Sequence, residues 1–543
     1  MKLTRRKLLL LAGSASGALA AGCGARGNRP LGPGSSTAGP ATGSGGSGGA
    51  GLGGSGAGGA GFGGTGASGS GAGGTGFGGA GAGSGVAGTG ASGSGVAGTG
   101  AGGTGVAGTG ASGSGVAGTG GFVPGLPVPT PQQLAWQDLE LGLFIHFDMA
   151  TYTGATKPRM SADPNLYNPR LLNTDQWLEV AKTMGAQYAV FVAKHCTGFL
   201  SWQSNAYPFG VKQSAWRGGT GDVVREFIAS CNKYGIKPGL YSSVTCNAWW
   251  GADNPGTIQW GNKTQADYAR ANEAMATELW SNYGPLTEIW LDGGALPPSK
   301  GGPDLVPILE RHQPDAIFFQ GPKPGGVRWI GNERGVAAYP CWSTVSKLND
   351  PGAGDPNGKI WNPGECDVPL PGYEWFWHGE ATPGWATPQQ QADTLPKLMD
   401  MYYRSVGHNC NLLLNATPDA TGLIPEVTLA HYMNFGNEIQ RRFGTPVAET
   451  QGDGEVLELT LPVPSDIDHV IIMEALAYGE RVRAYTVEGL VSGNNWQKLS
   501  DGVSVGHKRI QSFPRVRVAK VRFTATQSTA VPKIRRLAVF NVA

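Results

Sequence analysis

The sequence predicts an α/β chain, a (β/α)8-like barrel of the TIM type followed by a C-terminal β-sandwich. Three observations predict it. From about Leu134, short apolar runs alternate with amphipathic stretches, the pattern of parallel strands joined by helices. Four strand and helix units follow closely between 141 and 292, which favours a closed barrel over a doubly wound open sheet. Residues 445–543 then change to short alternating strands with polar turns, as in a sandwich.

Each element has its own justification. Residues 141–148 read as a first strand, and 174–184 as a helix capped by Asn173 or Thr174, with Trp177, Val180, Ala181 and Met184 on one face. Strands follow at 187–194 and 237–244 and helices at 221–234 and 265–283; the run 286–291 is a fourth strand that ends on Asp292. Residues 316–320 and 411–415 are further short strands, with a helix over 389–406 between them. A helix over 425–442 and the Gly444-Thr445-Pro446 turn close the barrel segment, placing the barrel at 131–444 and the sandwich at 445–543. The sandwich strands read at 456–462, 469–473, 482–487, 519–524 and 536–541.

The N-terminal part is unlike the rest. Residues 30–137 contain no Asp, Glu, Lys, Arg or His, and 24–130 is dominated by Gly, Ala, Ser and Thr in units such as Gly-Val-Ala-Gly-Thr-Gly. Such a segment has almost no side chain to bury, so a disordered linker is expected, reaching roughly 50–60 Å end to end. Residues 1–23 combine Arg5-Arg6, an apolar run at 8–12 and Ala20-Ala21-Gly22-Cys23, the layout of an export signal with a lipoprotein-like box. Acylation at Cys23 would anchor the protein by lipid at a bacterial cell envelope; ordinary cleavage would release it.

With Cys23 set aside, six cysteines remain: Cys196, Cys231, Cys246, Cys341, Cys366 and Cys410. The body is large enough to bury its own core, and Thr4-Arg5-Arg6-Lys7-Leu8-Leu9 resembles a twin-arginine signal, whose substrates fold before they leave a reducing compartment. Buried free thiols are therefore expected at least as much as disulfides. No Cys-x-x-Cys pair is present and the histidines are scattered, so neither metal nor cofactor is expected. The chain is nearly neutral at +2 and carries no phosphate-cradling glycine loop, so no nucleic-acid partner or nucleotide is expected.

Polar residues collect where the strands end. His146 closes the first strand, Lys194-His195 the second, Tyr241 lies in the third and Asp292 ends the fourth. Any one of them could be a satisfied core group or a turn cap, but in a barrel the C-terminal strand ends share one mouth, so the series reads as a site. Trp202, Trp249, Trp250, Trp290, Trp342, Trp375 and Trp377 add aromatic faces. Indole walls with carboxylates and imidazoles suit a sugar ring, with its apolar C–H face and rim of hydroxyls.

In order along the chain, the segments Phe144-Ile-His-Phe147, Ala193-Lys-His-Cys-Thr-Gly-Phe199 with Trp202, Gly239-Leu-Tyr-Ser242, Ile289-Trp-Leu-Asp-Gly293 and Asn411-Leu-Leu-Leu-Asn415 resemble the signatures of the family 29 glycoside hydrolases, the retaining α-L-fucosidases. The resemblance covers about 134–543. It implies a nucleophile at Asp292 and fucose contacts at His146, His195, Trp202, Tyr241 and Trp290. Many members carry His-His where this chain has His195-Cys196. A retaining glycosidase also needs an acid/base carboxyl about 5–5.5 Å from the nucleophile. The segment Trp329-Ile-Gly-Asn-Glu-Arg-Gly335 resembles the acid/base segment of the branch that prefers α-1,3 and α-1,4-linked fucose, which points to Glu333, with Glu365 as runner-up. The partners implied are fucosylated oligosaccharides or glycoconjugates. The competing readings are a surface lectin that holds fucose without cleaving it and a retaining glycosidase for another sugar.

Overall fold

The computed structural model describes residues 124–379 and 394–542; the expected export signal, Cys23 and the linker up to 123 lie outside the described residues. Eight parallel strands form the barrel wall: β1 (Leu141–Ile145), β2 (Tyr188–Lys194), β3 (Lys237–Ser242), β4 (Glu288–Trp290), β5 (Ile317–Phe319), β6 (Arg328–Trp329), β7 (Gly364–Val368) and β8 (Cys410–Ala416). Their order is β5-β4-β3-β2-β1-β8-β7-β6, so sequence neighbours are spatial neighbours and β8 returns to β1. Closure between β5 and β6 is made by a parallel bridge from Phe319 to Val327. There the Gln320 N–H donates to the Val327 carbonyl at 2.9 Å, and the Val327 N–H to that of Phe318 at 3.1 Å.

Side chains alternate across the wall because strand residues point to opposite faces. Phe144, Tyr188, Val190, Val192, Tyr241, Trp290, Phe319 and Leu413 fill the interior. Leu143, Ile145, Phe191, Leu240, Ile289, Leu412 and Leu414 face outward to the helices. Gly142 allows a close approach: a Cβ there would stand 2.5 Å from the Tyr188 ring. Helix α1 (Pro131–Gln137) closes the bottom. Its Gln133 side chain donates to the carbonyls of Gly326 and Trp361 at 2.8 and 3.0 Å, and Asn411 of β8 donates to the Trp136 carbonyl at 2.9 Å.

The outer helices are α2 (Thr174–Met184), α3 (Val223–Tyr234), α4 (Gln265–Ser281), α5 (Val306–His312), α6 (Thr394–Arg404) and α7 (Glu426–Phe443). Asn173 caps α2 by accepting from the Asp175 N–H, Gly185 at φ 86° ends it, and Trp177, Val180, Ala181 and Met184 are buried as the period predicts. Residues 389–393 of the helix expected over 389–406 fall outside the described residues. Among the described residues no α-helix separates β5 from β6 or β6 from β7; the β6–β7 connection is loop with a hairpin of Thr344–Val345 against Ile360–Trp361.

Beyond α7 the chain forms an antiparallel sheet of β9 (Ala448–Asp453), β10 (Val456–Glu474), β11 (Val482–Ser492), β12 (Asn495–Gly502), β13 (Arg509–Ser528) and β14 (Lys533–Phe540), in the order β9-β14-β10-β13-β11-β12. The two strands expected at 456–462 and 469–473 are one strand, β10, with register shifts against β13 between Thr460 and Ser465 and between Ile467 and His469. Such bulges bend a long strand and let one sheet wrap over its own core. That core includes Leu459, Ile467, Val470, Val487, Val521, Phe523 and Leu537. The sandwich grips the barrel through polar pairs. Asn409 donates to Glu480 at 2.6 Å, His507 meets Glu140 at 3.0 Å, and Arg535 pairs with Asp138 at 2.7 Å.

Of the two states left open for the cysteines, Cys231, Cys341, Cys366 and Cys410 are buried free thiols, and Cys196 and Cys246 are joined in a disulfide. The residues lie 50 apart in sequence, and the ends of β2 and β3 bring them together; spacing along the chain carries no such information.

Candidate active site

Parallel register determines what meets at the top of the barrel. His146 stands just past β1, and Phe144 of β1 is registered against Asn415 of β8. Asn415 Oδ1 lies 2.8 Å from His146 Nδ1, while its amide nitrogen donates to the Trp375 carbonyl at 3.0 Å. The amide oxygen is thus the acceptor and His146 Nδ1 the donor, which leaves Nε2 with a free lone pair. Burial holds the His146 imidazole well below its usual value and the neighbouring His195 pushes the same way, so the ring is neutral at physiological pH.

His195 repeats the arrangement one strand over. Its Nδ1 lies 3.1 Å from the Thr156 carbonyl, which can only accept, so Nε2 is again the acceptor. Burial lowers this imidazole to about 3; the Thr156 contact opposes the shift, and Lys194 and Lys157 add to it. His195 stacks on Tyr241 with ring centres 5.8 Å apart, Tyr241 on Trp290 at 5.4 Å, and Trp290 on Phe319 at 3.7 Å. Trp375 and Phe376 pack on His146 at 4.9 and 5.1 Å.

Asp292 follows β4 at a turn in which Gly293 and Gly294 have φ of 71° and 73°, a conformation open to glycine. Its carboxylate accepts from the Tyr241 hydroxyl at 3.3 Å and its carbonyl from Thr245 Oγ1 at 3.0 Å. Burial raises its pKa, the Lys157 cation and the Tyr241 bond pull it down, and the Glu333 charge pushes it up again. Glu333 is exposed on the loop after β6 and accepts from Trp375 Nε1 at 3.0 Å. Asn332 shapes that loop, accepting from the Arg334 N–H at 3.1 Å and donating to the Val336 carbonyl at 3.0 Å.

His146, His195, Tyr241, Trp290 and Asp292 therefore come together, and Trp375 links the Glu333 loop to them through His146. Two expected residues lie elsewhere. Trp202 is 1% exposed in the layer between barrel and helices, and its Nε1 donates to Glu278 Oε2 of α4 at 2.9 Å. Its place is set by packing and by that bond. Glu365, the runner-up acid/base, lies within a strand. It is fully buried in β7 under Trp290, accepting from Trp290 Nε1 at 2.9 Å and from the Tyr188 hydroxyl at 2.6 Å. Burial raises its pKa, and those bonds oppose the shift.

Sequence reasoning missed Lys157, Phe376 and the part played by Trp375. Trp375 was visible as one more loop tryptophan. Lys157 sits in the irregular stretch after β1 and carries no periodicity or motif that could single it out. Among the described residues, no cluster of three or more His, Cys, Asp or Glu could hold a metal ion.

An α-L-fucosidase family model matches residues 161–441. The chain is 32% identical to α-L-fucosidase 1 of Arabidopsis thaliana over 445 residues, 72% of this chain and 83% of that protein. Among solved structures, a putative α-L-fucosidase from Bacteroides thetaiotaomicron is 38% identical with a TM-score of 0.72, over 77% of this chain and all (100%) of that one. A glycoside hydrolase 29 family member from a rumen bacterium is 29% identical with a TM-score of 0.66, covering 77% and 78% respectively. Motif order, barrel, site and these likenesses agree: the chain belongs to the α-L-fucosidases of glycoside hydrolase family 29.

Proposed function

We propose that the protein removes terminal α-linked fucose, joined 1,3 or 1,4, by double displacement with Asp292 as nucleophile and Glu333 as acid/base. The observation that carries this reading is that two carboxyls from different strand ends border one cluster of rings: Asp292 accepts from Tyr241 at 3.3 Å, and Glu333 accepts at 3.0 Å from Trp375, which packs on His146. Asp292 attacks the anomeric carbon while Glu333 gives its proton to the departing oxygen. Water, deprotonated by Glu333, then cleaves the fucosyl ester. Lys157 and Tyr241 favour the ionised nucleophile against burial.

Around the ring, the neutral His146 and His195 each offer an Nε2 acceptor to a sugar hydroxyl, and Tyr241 and Trp290, stacked between His195 and Phe319, meet the sugar with their ring edges. Trp375 holds Glu333 in place. The 1,3 or 1,4 preference is supported by the 329–335 segment alone. An envelope location through a lipid on Cys23 is part of the same reading and rests on the N-terminal sequence.

One set of assays tests the assignment. Asp292→Ala is expected to lower kcat on an aryl α-L-fucoside by on the order of 10⁴-fold or more; near-normal turnover would overturn the nucleophile. Glu333→Ala with azide is expected to regain activity and form fucosyl azide of retained configuration, whereas no rescue excludes Glu333. A panel of α-1,2, α-1,3, α-1,4 and α-1,6 fucosylated oligosaccharides reads the linkage.

A further inference from the structure

The loop that carries His195 and the loop behind Asp292 are joined covalently, and nothing in the chemistry above uses that bond. Cys196 directly follows His195, Cys246 directly follows Thr245, and the two form a disulfide. Both are buried, at 2% and 7% exposure. The 243–248 loop stands as a wedge between the two halves of the site. On one side the Ala248 N–H donates to the Cys196 carbonyl at 2.8 Å and the Ser243 N–H to the Lys194 carbonyl at 3.0 Å. On the other, Thr245 donates to the Asp292 carbonyl at 3.0 Å, and its methyl lies 3.3 Å from where a Cβ on Gly293 would stand.

Lys194 also grips the wedge, donating to the carbonyls of Ser243 and Cys246. Burial brings its ammonium down to about 7, so this grip weakens as pH rises, whereas a disulfide does not titrate. A cross-link between strand-end loops 50 residues apart removes freedom that hydrogen bonds alone leave. Small displacements between a nucleophile and the groups that hold the sugar cost large factors in rate.

We propose that the Cys196–Cys246 disulfide is a positioning pair that sets the spacing of His195 from Asp292 and makes full fucosidase activity depend on oxidation. This rests on the assignment of Asp292 as nucleophile. The redox step is thiol–disulfide exchange. A dithiol supplies two electrons and two protons, the S–S bond breaks to two thiols, and the dithiol closes to its own disulfide; glutathione disulfide reverses it and leaves as two glutathione thiols. Because Cys231, Cys341, Cys366 and Cys410 are already free, this is the bond among the described residues on which a reductant acts.

The test uses the full chain in three forms: oxidised, reduced by purification under dithiothreitol with the thiols counted by alkylation and mass, and the double variant Cys196→Ala/Cys246→Ala. Thermal unfolding establishes that each is folded, and kcat and KM are measured on an aryl α-L-fucoside. Reduced enzyme and double variant are expected to unfold cooperatively and to lose about tenfold or more in kcat/KM. Glutathione disulfide should restore the reduced wild type and leave the variant unchanged. If Tm alone moves and kcat/KM stays within about twofold, the bond is merely structural and the proposal fails. Should the oxidised protein release no fucose, the functional reading falls by itself. Positioning is then read from amide hydrogen exchange at 243–248 and 293–294: faster exchange on reduction upholds it and equal exchange overturns it. If the double variant does not fold, the reduced wild type carries the same comparison.

Discussion

Asp292 illustrates how a single carboxylate is tuned by opposing influences, with burial the largest and the net shift upward. Burial and the Glu333 charge push its pKa up, and Lys157 and Tyr241 push it down. Replacing Lys157 with Met removes a stabiliser of the charged form, so the pKa of Asp292 must rise. The acidic limb of kcat/KM against pH is then expected to move to higher pH, while activity on the alkaline side of that limb changes little. A limb that stays in place would show that Lys157 does not act on Asp292. Trp202 gives the converse case. Its indole serves Glu278, which also accepts from Ser204 at 2.6 Å and from the Asn205 N–H at 2.8 Å. Trp202→Phe is expected to cost about 1–3 kcal/mol of stability by denaturant unfolding and to leave KM for an aryl fucoside unchanged. A rise in KM without a stability loss would restore the tryptophan to the sugar site.

At the scale of elements, strands with uniform apolar character were legible and strands with charge inside were not. The period of α2 shows its buried face and its ends in the sequence alone, because caps and amphipathicity agree there. β7 reads Gly-Glu-Cys-Asp-Val, and nothing local marks it as a strand; its carboxyls are tolerable only because Tyr188 and Trp290 donate to Glu365, and Trp329 donates to Asp367 at 2.7 Å. β6 is two residues long and gives no periodicity to detect. The candidate site divides in the same way. His146, His195, Tyr241, Trp290 and Asp292 are adjacent to regular strands and were visible, whereas Lys157 and Phe376 arrive on irregular loops whose paths depend on tertiary packing. Cys196 and Cys246 were visible as residues but not as partners, since the register between β2 and β3 decides their meeting.

In the whole molecule, barrel and sandwich are held by charge as well as by apolar contact. Burial alone would raise the Glu140 pKa, but Lys508 and His507 of the sandwich overcome it and bring the carboxyl down to about 2. A lowered carboxyl stabilises the fold above its ordinary pKa and loses that contribution as pH falls toward 2, here about 3 kcal/mol for a shift from 4.5 to about 2. Unfolding free energy is expected to fall across that acid range in the wild type and to be flatter in Glu140→Gln; parallel profiles would remove the pair from the account of acid stability. A last consequence concerns the closure between β5 and β6. Asp292 lies on the β4 side of this seam and Glu333 on the β6 side, and the seam itself is stitched by one bridge, Phe319 to Val327. The two carboxylates proposed as the catalytic pair are therefore separated by the most sparsely paired part of the wall. The barrel is fastened like a clasp, and its single stitch lies between the loops that carry Asp292 and Glu333.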